Sequence, residues 1–206
     1  MAILAVVFDI GGVLERVDDP DQVIGRKWRA RLGLTEAGYA AAIGSVDPGQ
    51  LNQVGRMSET EYRQRCTAAL GLDFAQADEF MADMWGWYCG ELDVELHAFA
   101  RSLRPRLRTA ILSNSGDGAR REEQARYGFE DDFDPVIYSH EVGLAKPDPA
   151  IFELTWTRIG VAPEEMIFID DTQGHLDAAS RLGIHAVLST NASQTIEAVS
   201  ELLAKF

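Results

Sequence analysis

The chain is poor in cysteine and in basic residues, and it contains no long hydrophobic run. Cys66 and Cys89 are its two cysteines. They are too few for a disulfide framework and lack metal-ligand companions at a useful spacing, so both read as buried small hydrophobes. Nineteen Lys and Arg against 33 Asp and Glu leave a formal charge of −14. A phosphate-backbone binder needs a basic footprint, and no Lys or Arg cluster here supplies one, which argues against nucleic acid as a partner. Small anionic ligands stay compatible, because a local site or a bound cation overrides the global field. No stretch approaches the ~20 apolar residues that span a bilayer. The short apolar run at the N-terminus lacks a basic flank and meets Asp9 too early for a secretory signal, so no membrane partner and a cytoplasmic location are expected. Nucleotide loops are missing as well. No G-x-x-x-x-G-K-[ST] occurs, and Arg121 stands where the third glycine after Gly116 and Gly118 would complete a dinucleotide loop. There is no internal repeat and no low-complexity segment. With 206 residues the chain can hold one sizeable core, or a core domain plus a smaller insert. Its oligomeric state is not legible from these features.

What is present is organised around Ile3–Leu14, ILAVVFDIGGVL. An almost uninterrupted apolar run describes a strand buried on both faces, the central kind in a parallel sheet. The run delivers one carboxylate, Asp9, to the strand's C-terminal end, followed at once by Gly11 and Gly12. Open α/β sheets bind ligands outside those ends, and paired glycines permit close backbone approach. Asp9 is therefore a candidate ligand-binding residue.

From about Arg16 to Glu91 the sequence reads helical, with no convincing strand. Val23, Ile24, Trp28 and Leu32 share one helical face ending at Gly33, and Thr35 caps a short alanine-rich helix. Ser58 and Glu61 have the spacing of a capping box ahead of a helix that stops at Gly71, and another helix covers Ala75 to Tyr88. The remainder alternates. Strands are expected at Arg108–Ser113, Val136–Ser139, Met166–Asp170 and Ile184–Leu188, separated by helices, one of which starts at Asp148 with Pro149 in its first position. That alternation implies an α/β fold with a parallel sheet and right-handed crossovers.

Two core strands end in acid, VVFD at Asp9 and MIFID at Asp170 with Asp171 behind it. A third, AILS, ends in the hydroxyl of Ser113 followed by Asn114. In a parallel sheet these ends share one edge, so the groups can converge. Carboxylates brought together repel unless a cation lies between them, and oxygen-only ligands with water and phosphate favour Mg²⁺. Lys146, in GLAKPDP, lies on a loop ahead of the capped helix and can lean over the same edge as the counter-charge for a phosphate.

These residues resemble the four motifs of the haloacid dehalogenase-like hydrolases. Asp9 in FDIGGVL resembles the first, Ser113 in ILSNS the second, Lys146 in GLAKPDPAIF the third, and Asp170 and Asp171 in FIDDTQGHLDAA the fourth. The resemblance implies a Rossmann-like parallel-sheet core, residues 1–15 and 92–206, with an inserted α-helical C1 cap over residues 16–91. It further implies a Mg²⁺-dependent phosphatase acting on a small phosphorylated substrate, with sugar phosphates as one candidate class. Asp9 would form an aspartyl-phosphate. Mg²⁺ would be held by Asp9, the Gly11 carbonyl and Asp170 or Asp171. Ser113, Asn114 and Lys146 would bind phosphate oxygens, with the amides of Gly11 and Gly12 as further donors.

One departure limits the resemblance. Most phosphatases of this family carry a second Asp two residues after the nucleophile as general acid and base, and here that position is Gly11. Three readings follow: a slower phosphatase suited to better leaving groups, with Glu15, His175 or a cap residue supplying the proton; a catalytically weak protein that binds a phosphorylated ligand or a partner; or a 2-haloacid dehalogenase, against which the Asp170 and Asp171 pair argues. His175 stands where asparagine is often found and reads as a surface or capping residue or as a proton donor. His97, His140 and His185 read as structural. Trp28, Arg56, Trp85 and Trp87 are the cap residues expected to bear on substrate choice.

Overall fold

The apolar run around Asp9 forms the middle of the molecule. In the computed structural model, which describes residues 2–206, β1 (Ala5–Phe8) has all four residues fully buried. It pairs in parallel on one side with β4 (Arg108–Ser113), Val6 opposite Thr109, and on the other with β6 (Met166–Asp170), Val6 opposite Ile167. Adding β5 (Val136–Tyr138) and β7 (His185–Leu188) gives a five-stranded parallel sheet of order β5-β4-β1-β6-β7. The chain thus folds as an α/β protein with helical insertions.

Alternation along the strands builds a core on each face. Val6, Phe8, Ile111, Ile167 and Ile169 face one way. They meet Leu96 and Ala100 of α5 (Val94–Ser102) and Val199 of α11 (Ala192–Lys205). Ala5, Val7, Ala110, Leu112 and Phe168 face the other way, against Ile151 and Phe152 of α9 (Pro149–Ile159) and Ala178 and Ala179 of α10 (Gln173–Arg181). Helices α6 (Ala119–Tyr127), α7 (Phe129–Asp132) and α8 (Ser139–Val142) complete the crossovers around β5.

The helical insertion has its own apolar centre. A π-helical turn, Asp21–Gly25, runs directly into α1 (Arg26–Leu32), which is followed by α2 (Glu36–Gly44), α3 (Glu59–Leu70) and α4 (Phe74–Tyr88). They close around Trp28, Tyr39, Cys66, Leu70, Phe80 and Met81. The Ser58 hydroxyl caps α3 by accepting from the Glu61 amide, but the Glu61 side chain turns to Arg65 rather than back to the cap. A reciprocal capping box forms instead at Asp73 and Gln76, ahead of α4.

The structure also differs from the sequence reading at the edges of this insertion. Two short strands are present there, β2 (Glu15–Arg16) and β3 (Glu91–Leu92), paired antiparallel. Two residues are too few to show a strand periodicity, and their pairing depends on the fold bringing the two ends of the insertion together. No helix of the described residues is long and apolar enough to cross a membrane.

Candidate active site

The C-terminal edge of the sheet gathers the strand-end groups. Ligand oxygens of Asp9, Asp170 and Asp171 lie within 4.8 Å of one another. The Lys146 ammonium, itself fully buried, sits 2.8 Å from Asp9 Oδ1 and 2.7 Å from Asp170 Oδ2. Its loop is secured from both sides. Asp148 caps α9 just downstream, accepting from the Ala150 amide, and the Asn114 carboxamide exchanges two bonds with the Lys146 backbone at 2.8 and 2.9 Å. The sequence places Asn114 among the phosphate ligands; in the structure its side chain is engaged in holding the lysine loop.

The two buried aspartates differ in acidity. Burial raises the Asp9 carboxyl to about 6, more than the Lys146 charge lowers it. Burial also acts on Asp170, but a hydrogen bond with His175 together with the Lys146 charge outweighs it and holds that carboxyl at about 2. His175 Nδ1 lies 3.1 Å from both Asp170 oxygens, and the Thr172 amide donates to Oδ1 at 2.8 Å. The histidine is therefore a positioning group for Asp170 rather than a surface residue.

The glycines have separate parts. Gly12 has φ +74°, and a Cβ there would fall 2.3 Å from Asp171 Oδ2, so the exposed Asp171 carboxylate packs directly over it. At Gly11 a Cβ would meet no atom within 4 Å, and the backbone lies outside the positive-φ region. Nothing steric requires glycine at the position where the resemblance leads one to expect a second acid.

A cavity of about 290 Å³ opens beside Asp9. Gly11, Gly12, Ser113, Asn114 and Asp171 line it, together with Glu15, Glu123, Trp87 and Tyr88. The loop after β1 folds back so that the Glu15 amide donates to the Ile10 carbonyl and the Gly12 amide to the Glu15 carbonyl, which brings Glu15 alongside the Asp9 loop. Glu15 and Glu123 are both fully buried. Burial, reinforced by Glu123, pushes Glu15 up to about 10; burial pushes Glu123 up to about 8 despite its bond from the Tyr138 hydroxyl. Glu123 and Tyr88 escape sequence reasoning, the first because α6 looks like a solvated charged helix, the second because it ends an aromatic cap helix. Of the expected cap residues, Trp87 lines this cavity. Trp85 lines an adjoining one, Trp28 is buried in the apolar centre of the helical insertion with its indole N–H on Asp83, and Arg56 lines neither cavity. His97 stacks on Phe133 and His140 bonds Ser115, both structural contacts.

The haloacid dehalogenase-like hydrolase family model matches residues 3–183. The chain belongs to this family. Among solved structures, the hydrolase superposes on a family enzyme from Bacteroides thetaiotaomicron in complex with magnesium and inorganic phosphate, with TM-score 0.78, 22% identity, and 92% and 96% of the two chains covered. A D-ribitol-5-phosphate phosphatase from the same organism is 24% identical over 96% of this chain and 97% of its own length. A phosphoserine phosphatase from Thermus thermophilus is 37% identical over 45% of this chain but only 38% of that protein. The aligned segment is likewise 9% of acyl-CoA dehydrogenase family member 10 from Mus musculus, so these matches cover less than half of the relatives concerned.

Proposed function

We propose that the hydrolase is a Mg²⁺-dependent phosphatase acting on a small phosphorylated metabolite through an aspartyl-phosphate on Asp9. The observation that carries this reading is the meeting of Asp9, Asp170 and Asp171 around one point, beside a cavity and a buried lysine. Three carboxylates with one cation between two of them form an oxygen-only donor set, which fits a hard divalent ion. Asp9, the Gly11 carbonyl and Asp170 or Asp171 would hold Mg²⁺, which when bound supplies neutralisation between an anionic nucleophile and an anionic phosphate. The magnesium and phosphate complex of the Bacteroides enzyme and the phosphatase relatives support this assignment.

The residues of the chain divide the remaining work. The Ile10 amide and Lys146 both hold Asp9 Oδ1, which leaves Oδ2 for attack on phosphorus. As that bond forms, the ester P–O bond breaks and the leaving oxygen departs as an oxyanion that takes its proton from solvent water; a second water then attacks the acyl phosphate, releasing inorganic phosphate and restoring the Asp9 carboxylate. Ser113 and the Gly11 amide stand on the cavity wall as phosphate donors, whereas the Gly12 amide, expected from the sequence to join them, is engaged by the Glu15 carbonyl; Lys146 offsets the accumulating charge. Gly11 donates no proton, so turnover of poor leaving groups is slow. Trp87 and Tyr88 close the cavity from the cap side.

Phosphate release from aryl and sugar phosphates tests the assignment. Release is expected with Mg²⁺ and is expected to vanish with EDTA and in Asp9→Asn. Release that survives either change overturns the mechanism, and none at all across a broad panel supports a ligand-binding role. Chloride released from 2-chloropropionate without metal would identify a dehalogenase instead.

A further inference from the structure

A second, smaller cavity adjoins the one beside Asp9. Its volume is about 130 Å³, and Trp87 and Tyr88 of the helical insertion line both. The loop after β4 is shared as well: Ser113 and Asn114 border the Asp9 cavity, and Gly116 and Asp117 border the smaller one. A ligand whose phosphate meets Asp9 can therefore extend its other end along the same two walls. Those walls are mainly apolar, with Met57, Met81 and Met84 beside Trp85, Trp87 and Tyr88. The polar groups at the rim are committed within the chain. Ser58 accepts from the Glu61 amide, Asp117 accepts from the Glu59 amide, and the Glu59 carboxylate holds the Trp85 indole and Arg121. The rings are fixed in turn: Trp87 donates to the Asp18 carbonyl at 2.7 Å, and Trp85 meets Tyr88 edge-on with centroids 5.3 Å apart.

Size and lining together specify the occupant. An apolar cavity of about 150 Å³ holds one benzene-sized molecule, so this pocket has the dimensions of a single ring. Thioether sulfurs and ring edges are favourable neighbours for an aromatic ring, and the pocket supplies three of the former beside three aromatic side chains. The chemistry at Gly11 points the same way. With no acid there, the ester oxygen leaves with the electron pair of the broken P–O bond while phosphorus bonds Asp9, and an aromatic ring on that oxygen spreads the charge until water supplies the proton. We propose that this pocket receives the aromatic ring of the leaving group, making phosphate esters of single-ring phenols the substrate class; this rests on the phosphatase reading above.

The experiment separates the ring from the acidity of the leaving group, using the full chain with Mg²⁺. Phenylphosphonate is expected to inhibit at least about tenfold more tightly than methylphosphonate, because its ring is buried, and at least about threefold more tightly than cyclohexylphosphonate. Phenyl phosphate is expected to exceed benzyl phosphate at least about tenfold in kcat with KM within about threefold, since both carry the ring but only the first leaves as a stabilised oxyanion. Met84→Ala enlarges the pocket and is expected to shift kcat/KM toward 2-naphthyl phosphate at least about fivefold relative to phenyl phosphate. Met84→Phe fills it and is expected to remove the advantage of phenylphosphonate over methylphosphonate, while inhibition by inorganic phosphate stays within about twofold of wild type. Equal inhibition by phenylphosphonate and methylphosphonate, or an advantage unaltered in both Met84 variants, overturns the pocket. Equal inhibition by the cyclohexyl and phenyl compounds overturns the aromatic assignment. Should the wild type release no phosphate from any ester, the phosphatase reading fails by itself. Calorimetry with the two phosphonates then decides the pocket: tighter binding of phenylphosphonate that Met84→Phe removes supports it, and equal binding or none overturns it.

Discussion

Gly11 is the residue at which the site lacks a proton donor, and its surroundings leave room for one. A Cβ there meets no atom within 4 Å and its backbone is not in the left-handed region, so an Asp side chain can be accommodated. Gly11→Asp is expected to raise kcat on alkyl phosphates by at least about tenfold, and less on aryl phosphates whose leaving groups need no proton, given that a positioned acid contributes about 10²- to 10⁴-fold. Steady-state kinetics on the two classes checks this; equal or absent gains would show that proton transfer is not what the site lacks. Glu123 bears on stability. It faces Tyr138 of β5, Asp9 beyond β1, Glu15 of β2, Tyr88 of α4 and Arg120 on its own helix. Its folded value of about 8 exceeds the ordinary 4.5. The folded chain therefore keeps a proton that the unfolded chain has lost. The stabilisation is complete below about pH 4.5 and is lost as pH rises through about 8, with a limiting slope of ~1.4 kcal/mol per pH unit for one proton. Urea unfolding of metal-free protein between about pH 5 and 8 is expected to show a shallower decline in Glu123→Gln than in wild type, and identical slopes would contradict the assignment.

Elements explain why the insertion meets the core at a defined place. Its two ends come together as β2 and β3, joined by the Asp93 amide on the Leu14 carbonyl and covered by the Tyr127 hydroxyl on the Gly90 carbonyl at 2.7 Å. Gly90 has φ +54°, and a Cβ there would lie 2.3 Å from the Arg16 carbonyl. Gly90→Ala thus combines left-handed strain with a backbone clash and is expected to cost about 1–3 kcal/mol, with KM rising because Tyr88 and Trp87 lie just upstream. Thermal unfolding and kinetics check both effects, and wild-type behaviour in both would remove the stem from the account. This stem is invisible in the sequence, whereas β1, β4 and β6 are plain. Continuous apolar runs such as AVVF and MIFID announce doubly buried strands by themselves. The groups at their ends, Asp9, Ser113 and Asp170, are legible for the same reason. Glu123 and the Asn114 clamp are not, because burial of a charged-helix residue and the target of a carboxamide are decided by elements distant in sequence.

At the scale of the whole molecule, access to Asp9 depends on how the helical insertion is held against the sheet domain. Glu59 at the start of α3 is the junction. Its carboxylate receives Arg121 of α6 through two bonds at 2.9 and 3.0 Å and the Trp85 indole N–H at 2.7 Å, while its amide donates to Asp117. The turn Leu51–Val54 rests on α8 nearby. The Arg121 side chain is 58% exposed, so the ion pair alone contributes at most about 1 kcal/mol and weakens with salt. Such a contact adds little to global stability, yet it can set how long the cavity stays covered. Glu59→Ala is expected to leave the unfolding midpoint within a few degrees of wild type and raise KM several-fold. It should also red-shift indole emission as Trp85 loses its partner, with about 0.5 M NaCl reproducing part of the KM change in wild type but none in the variant. Arg121→Ala is expected to give the same kinetics with a smaller emission change, since the Trp85–Glu59 bond remains. A KM unaltered in both variants, with emission shifted only in the first, would show that the junction is a local packing contact and that closure over Asp9 is governed by the stem alone.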